Sequence, residues 1–365
     1  MKVTDDWGTV ARLTATSVVP GNLSTANSEK TIAPEAEVRS LASLDPKSIL
    51  QSFGKNWKGK FGFLSLTAKD KGLNCLDGLS KYTLIEELDL SYNALVDASA
   101  IAGLPSLLIL NLANNCLRSI DTRAFRHSIA FLDLSNNQLD DFPDLSLFPS
   151  LQEVNLAANN LKSVTCSAES RALKRLNLSY NNIVGFEGCL DFPNLTHLKV
   201  THAQLTSLDW VARFPRLQSL SVANNGVTSL QGIEGLGDLS ELNVARNGLK
   251  DISEVYRLQE LPYLKVLDLD DNPCQEINFY LYLMCHALPQ LLWLDGERLT
   301  EQAKAETDIF FGQDLDRRKT IFEKHLPQET FVDSRLYRVE NVIVHKDLLE
   351  DFSQQEIETY EFKLT

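Results

Sequence analysis

The chain has 365 residues, 44% hydrophobic and 23% charged, which is enough for a substantial buried core, and its 35 Lys and Arg against 49 Asp and Glu leave a net charge of −14. That balance, with a pI near 4.9, opposes non-specific binding to nucleic acid or to an anionic membrane surface. No run approaches the roughly 18 apolar residues of a membrane span, and the six scattered cysteines contain no CxxC pair and so outline neither a zinc site nor a disulfide framework.

Asp5 and Asp6 stand where a secretory signal is basic and then apolar, so an intracellular, cytoplasmic chain is expected. Residues 1–44 are rich in Ser, Thr and Ala with Pro20 and Pro34, and read as a weakly structured arm. From Asp45 a cap helix is expected over 45–60: Asp45 as N-cap, Pro46 at the first helical position, Ile49, Leu50 and Phe53 on one face, Gly54 as stop. Gly54–Phe61 (GKNWKGKF) fits GxxxxGK but sets Phe61 where a phosphate-binding loop needs a Ser or Thr hydroxyl, so it reads as a basic lead-in. A degenerate unit follows, with Leu64 and Leu66 in strand positions and Leu73 displaced, as though two residues were inserted after Ala68.

The dominant signal is a repeat over residues 61–274. The template LxxLxLxxNxL recurs nine times, starting at Ile85, Leu107, Ile129, Leu151, Leu173, Leu195, Leu217, Leu239 and Leu264, with steps of 22 residues and a last step of 25. Alternation through the LxL centre marks a short strand with its leucines inward. The ninth place, Asn93, Asn115, Asn137, Asn159, Asn181, Asn225, Asn247 and Asn272, puts a short amide where the chain turns, and stacked in register these side chains are expected to form a hydrogen-bonded ladder. A core residue in the fourteenth place and Pro105, Pro149, Pro193 and Pro215 close each return segment. Such a coil has room only for turns or 3-10 segments on its convex side.

Places two, three, five, seven and eight are expected to face outward on a curved sheet. They give a zoned concave surface, acidic and aromatic at the first copies, basic around Lys174, Arg175 and Lys199, and acidic again at Asp268, Asp270 and Asp271. Aromatic and Arg side chains are the usual anchors of interfaces, so partner contacts are expected at Tyr92, Phe131, Arg175, Tyr180, Lys199, His202, Arg246, Asp268, Asp270 and Asp271. Copy six departs from the pattern, with Ala203 in the ladder place, and reads either as a weakened coil or as a point where a partner enters. The segments 123–127 and 167–171 lack a closing proline motif and are expected to bulge.

The step and the consensus resemble the short 22-residue class of leucine-rich repeats found in the protein phosphatase 1 regulatory subunit, the spliceosomal A-prime protein and axonemal leucine-rich repeat proteins. The run NPCQEINFYLYLMCHALPQLLWLDGERLTEQAKAE, with the cap placed at 275–306, resembles the C-terminal cap of that class. The resemblance implies an α/β solenoid with a curved parallel sheet and helical caps at both ends. Residues 307–365 are expected to form a charged, partly helical extension in which Pro327 interrupts the pattern. No metal, cofactor, small-molecule substrate or catalytic set is expected. His197 and His202 have no carboxylate or Cys beside them in sequence. What remains is a protein-binding scaffold of a multi-subunit intracellular assembly, an axoneme or other cytoskeletal lattice first, with a phosphatase regulator or a spliceosomal adaptor, hence the nucleus, as the alternative.

Overall fold

Leucine in the fourth place decides the architecture. In the computed structural model, which describes residues 38–122, 128–165, 169–186 and 192–312, these leucines stack in one buried row from Leu66 and Leu88 through Leu176 to Leu267 and Leu294. Each contributes roughly 2 kcal/mol by leaving water. The strands that carry them are β1 (Leu50–Lys55), β2 (Phe61–Thr67), β3 (Glu87–Asp89), β4 (Ile109–Asn111), β5 (Phe131–Asp133), β6 (Glu153–Asn155), β7 (Arg175–Asn177), β8 (His197–Lys199), β9 (Ser219–Ser221), β10 (Glu241–Asn243), β11 (Val266–Asp268), β12 (Trp293–Leu294) and β13 (Glu297–Arg298). They form one unclosed sheet in chain order. Only the two end hairpins, β1–β2 and β12–β13, are antiparallel.

The return segments are short, as a 22-residue coil requires. They carry 3-10 turns such as Ser99–Gly103, Leu145–Leu147 and Asp209–Arg213, and the longest, Ile252–Glu260, falls where the step lengthens to 25. Phe142, Val164, Phe186, Leu208 and Leu230 of the fourteenth place are buried, and so are Phe148, Phe192 and Phe214, each one residue before a closing proline. Phe186 stacks on Trp210 with centroids 4.0 Å apart.

The ladder is present and its chemistry is explicit. Asn159 Oδ1 accepts from Leu139 N at 3.0 Å, and its Nδ2 donates to Leu134 O of the preceding coil and to Leu156 O of its own, both at 3.0 Å. Asn115, Asn137, Asn181, Asn225, Asn247 and Asn272 repeat this pattern, and Asn93 ties the first full copy to Leu73 and Ala68. Each amide thus satisfies backbone groups of two coils that no strand pairing reaches.

Three expectations need correcting. The N-terminal cap is not a helix over 45–60. Asp45 does cap Lys47 N, and Pro46 does open α1 (Pro46–Ile49), but the helix stops after one turn. Leu50–Lys55 is β1, because β2 presents a row of backbone groups that a second strand can satisfy and a helix cannot. Gly54 lies inside that strand, and Gly59 at φ 81° closes the hairpin, so the GxxxxGK match is a hairpin turn. The first unit has no insertion either: Leu66 pairs with Leu88, and Ala68 and Leu73 are fully buried, which is the ordinary 22-residue step with a small residue in the sixth place. Boundaries shift at both ends. Residues 39–44 already pair with the first unit, through Arg39 N on Asn74 Oδ1 and Leu41 N on Cys75 O. At the other end α2 (Tyr280–Ala287) packs on α3 (Glu301–Phe310), which runs past residue 306 so that Phe310 stacks on Tyr282. The bulge at 123–127, part of that at 167–171, and residues 1–37 and 313–365 lie outside the described residues.

Candidate interaction face

The strand pattern sorts the exposed side chains into rows. Most strands show one buried residue flanked by two half-buried ones, so places three and five line the open sheet face. Place three reads Glu87, Ile109, Phe131, Glu153, Arg175 and His197 across consecutive strands. Arg175 lies 3.8 Å from Glu153. Phe131 and Arg175 are therefore two strands apart in one row, with Ile109 and Glu153 beside them, neighbours that the sequence reading did not single out.

Place five is more constrained than expected. In seven of nine copies its Asp or Asn oxygen accepts from the backbone N–H two residues on, as at Asp89, Asn111, Asp133, Asn155, Asn177, Asn243 and Asp268. These side chains start the turn, which is why Asp and Asn fill that column. Asp268 also accepts from Asn243 Nδ2 at 2.8 Å, so its carboxylate serves the fold as well as the surface. Lys199 breaks this rule, and Thr201 N takes Ser179 Oγ instead.

Place eight is the turn itself. Tyr92, Asn114, Asn136, Ala158, Tyr180, His202, Asn224, Arg246 and Asp271 all adopt left-handed backbone, with φ between 52° and 58°. That geometry throws each side chain to the rim beside the sheet. Tyr92 and Tyr180 are 41% and 40% exposed, Lys69 lies 4.8 Å above the Tyr92 ring, and Tyr180 stacks on His202 at 4.2 Å. Arg246 Nε donates to Asp271 Oδ2 at 2.9 Å, and Asp270 is exposed next to them. The ten residues singled out from sequence thus divide into a face row (Phe131, Arg175, Lys199, Asp268) and a rim row (Tyr92, Tyr180, His202, Arg246, Asp271), with Asp270 between.

Electrostatics follow burial. Desolvation raises Asp133, Glu153 and Asp268 above the ordinary carboxylate range, while burial and the nearby Arg246 and Lys199 lower His202. An Asp133→Asn variant tests the first effect. Asn fills the same place at 111, 155 and 177, so the turn survives. Since the folded chain holds the Asp133 proton to higher pH than the unfolded chain does, the stability linked to that proton is lost as pH rises through the folded value. Asp133→Asn is therefore expected to be about 1 kcal/mol more stable than wild type at pH 7.5, with the gain shrinking toward pH 4, as read by urea unfolding.

Copy six lacks both side-chain devices, and the second can be restored. Ala203→Asn would supply an acceptor for Ile183 N and a donor for Leu178 O, the groups that correspond to the partners of Asn181 one coil earlier. It is expected to raise stability by about 1 kcal/mol and to slow amide exchange at Ile183.

Among the described residues no group of three His, Cys, Asp or Glu could hold a metal ion, and no helix is long and apolar enough to cross a membrane. In sequence, the leucine rich repeat family matches residues 83–139 and 149–205. The leucine-rich repeat domain of APL1B aligns over 63% of this chain and 68% of that chain, at 24% identity and a TM-score of 0.51. The fold is a leucine-rich repeat solenoid. Other leucine-rich repeat folds align less well: the Drosophila melanogaster SNF/U2A' complex over 42% of this chain and 86% of that chain, at 22% identity and a TM-score of 0.35, and a Listeria monocytogenes internalin over 65% and 83%, at 18% and 0.38. No curated protein matches the chain. In this leucine-rich repeat solenoid the sheet face and its rim form one continuous open surface.

Proposed function

We propose that the chain is a non-catalytic protein-interaction scaffold within a large intracellular assembly, a ciliary or flagellar axoneme or another cytoskeletal lattice. The observation that supports this reading is the open sheet: β2 to β12 present two rows of mixed charge and aromatic character over roughly 48 Å, at about 4.8 Å per strand. Such a length suits a protein partner better than a small substrate. Tyr180 and His202, stacked at the rim next to the Arg175 row, are the first anchors.

The test is localisation of a tagged copy in its native cell, followed by recovery of its partners. Recovery of cytoskeletal proteins that falls at least tenfold with Tyr180→Ala combined with Arg175→Ala supports the reading. The cap built from α2, β12, β13 and α3 favours a second reading, a regulatory subunit of a protein phosphatase or a spliceosomal adaptor in the nucleus. Stoichiometric recovery of a phosphatase catalytic subunit or of spliceosomal proteins, lost in the same double variant, would replace the first reading with the second. Turnover by the purified chain would overturn both.

A further inference from the structure

An open cleft of about 430 Å³ lies where β6, β7 and β8 begin, at the edge of the sheet opposite the asparagine ladder. Its wall is made from two places of successive coils: Gln152, Lys174 and Thr196 in the second place, and Ser150, Ala172, Asn194 and Arg216 immediately before each copy, with Arg171 at the mouth. Three cations line it, and among the described residues no carboxylate does. That composition is unusual in a chain with 49 acidic and 35 basic residues.

The cleft has fixed parts. Asn194 Nδ2 donates to Arg171 O at 2.8 Å, and Asn194 Oδ1 accepts from Arg216 Nη1 at 3.0 Å, so one amide ties the strand-entry loops of three successive coils and holds the guanidinium at the wall. Thr196 Oγ1 donates to Lys174 O at 3.0 Å, a second tie between the fifth and sixth copies. Ala172, the small member of its row, leaves the hollow between them. Arg171 is paired with Glu169 at 2.8 Å, but Lys174 and Arg216 have no acidic partner among the described residues. Clustered cations of this kind repel each other and are stabilised by an anion of high charge, and guanidinium groups match the oxygens of a phosphate.

We propose that this cleft binds a phosphate monoester carried by a partner protein, a phosphorylated Ser or Thr side chain. A dianion fits three cations better than a single carboxylate does, and the amide and hydroxyl groups of Gln152 and Ser150 add donors to the far wall. The proposal rests on the protein-interaction reading, and it would make partner binding dependent on a kinase.

The test uses the whole chain and ligand-observed NMR with acetyl-Gly-Ala-phosphoserine-Ala-Gly-amide, its unphosphorylated form, its Asp-substituted form and a 12-nucleotide single-stranded RNA. The phosphopeptide is expected to bind at least tenfold more tightly than the other two peptides. That preference is expected to fall at least fivefold in Arg216→Ala and in Lys174→Ala, and to be unchanged in the control Lys250→Ala, with thermal unfolding confirming that all three fold. Equal binding of the peptides, or a preference indifferent to Arg216 and Lys174, overturns the proposal. Tighter binding of RNA that depends on the same residues also overturns it, in favour of a phosphodiester site. Because the probe is a free peptide, failure here leaves the partner-recovery experiment intact, and failure of that experiment leaves the phosphate result standing.

Discussion

Replacing Asn159 by Ala is expected to lower stability by about 3 kcal/mol and the unfolding temperature by roughly 6–12 °C. The side chain makes three hydrogen bonds at 3.0 Å to backbone groups of two coils, and its residue is 6% exposed. Truncation leaves Leu139 N without an acceptor and removes a donor from three carbonyls, those of Leu134, Leu156 and Ala157, where water has little access, and it opens a small void as well. Asn159→Asp separates the two halves of the amide. A carboxylate still accepts from Leu139 N but faces the oxygens of Leu134 and Leu156, so its loss should exceed that of Ala at neutral pH and approach it in acid, where the carboxyl can donate. Calorimetry reads the size of the effect, and hydrogen exchange should place it at Leu139. A loss below about 1 kcal/mol would mean that the ladder is an accompaniment of stacking and not a cause.

Gly232→Ala is expected to be almost as damaging, by about 2–4 kcal/mol. Gly232 has φ +98°, and a Cβ there would sit 2.7 Å from Leu208 O and 2.9 Å from Asp209 Cα, both backbone atoms of the preceding coil. Two coils must move apart to admit one methyl group. Gly235, three residues on, has nothing within 4 Å of its Cβ position, and Gly235→Ala should be neutral or stabilising by a few tenths of a kcal/mol, through the reduced freedom of the unfolded chain. The pair measured by urea unfolding separates close approach from glycine content. Similar losses in both would show that the turn tolerates no side chain at all.

Coil length, the inward leucines and the asparagine ladder were legible in the sequence because each is a local pattern repeated at a fixed step. The hairpin of β1 and β2 was not, since Leu50–Lys55 has the spacing of a helical face and becomes a strand only when β2 lies beside it. The sixth place of the first unit was hidden by Ala68, which is buried like the leucines of later copies. The left-handed eighth place had left a trace in Asn114, Asn136, Asn224 and Asp271, residue types that tolerate that backbone. It was obscured by Tyr92, Ala158, Tyr180, His202 and Arg246, which occupy it because the coil gives them no alternative. Place five carried the opposite error: its Asp and Asn residues looked like a solvated column, and most of them hold a turn. The cleft near Arg216 could not be read at all, because its residues come from four copies and meet only when the coils stack.

Coil six offers the molecule a seam. Its neighbours are bound to it by leucine packing and strand pairing, but the asparagine link that the other boundaries use is missing between the fifth and sixth copies, at Ala203, where the bond from Thr201 N to Ser179 Oγ remains. In a one-dimensional stack, rupture starts at the weakest boundary. Under load or heat the protein should therefore part into an amino-terminal and a carboxy-terminal block before either block melts, and a pulling experiment should record two force peaks where an unbroken ladder would give one.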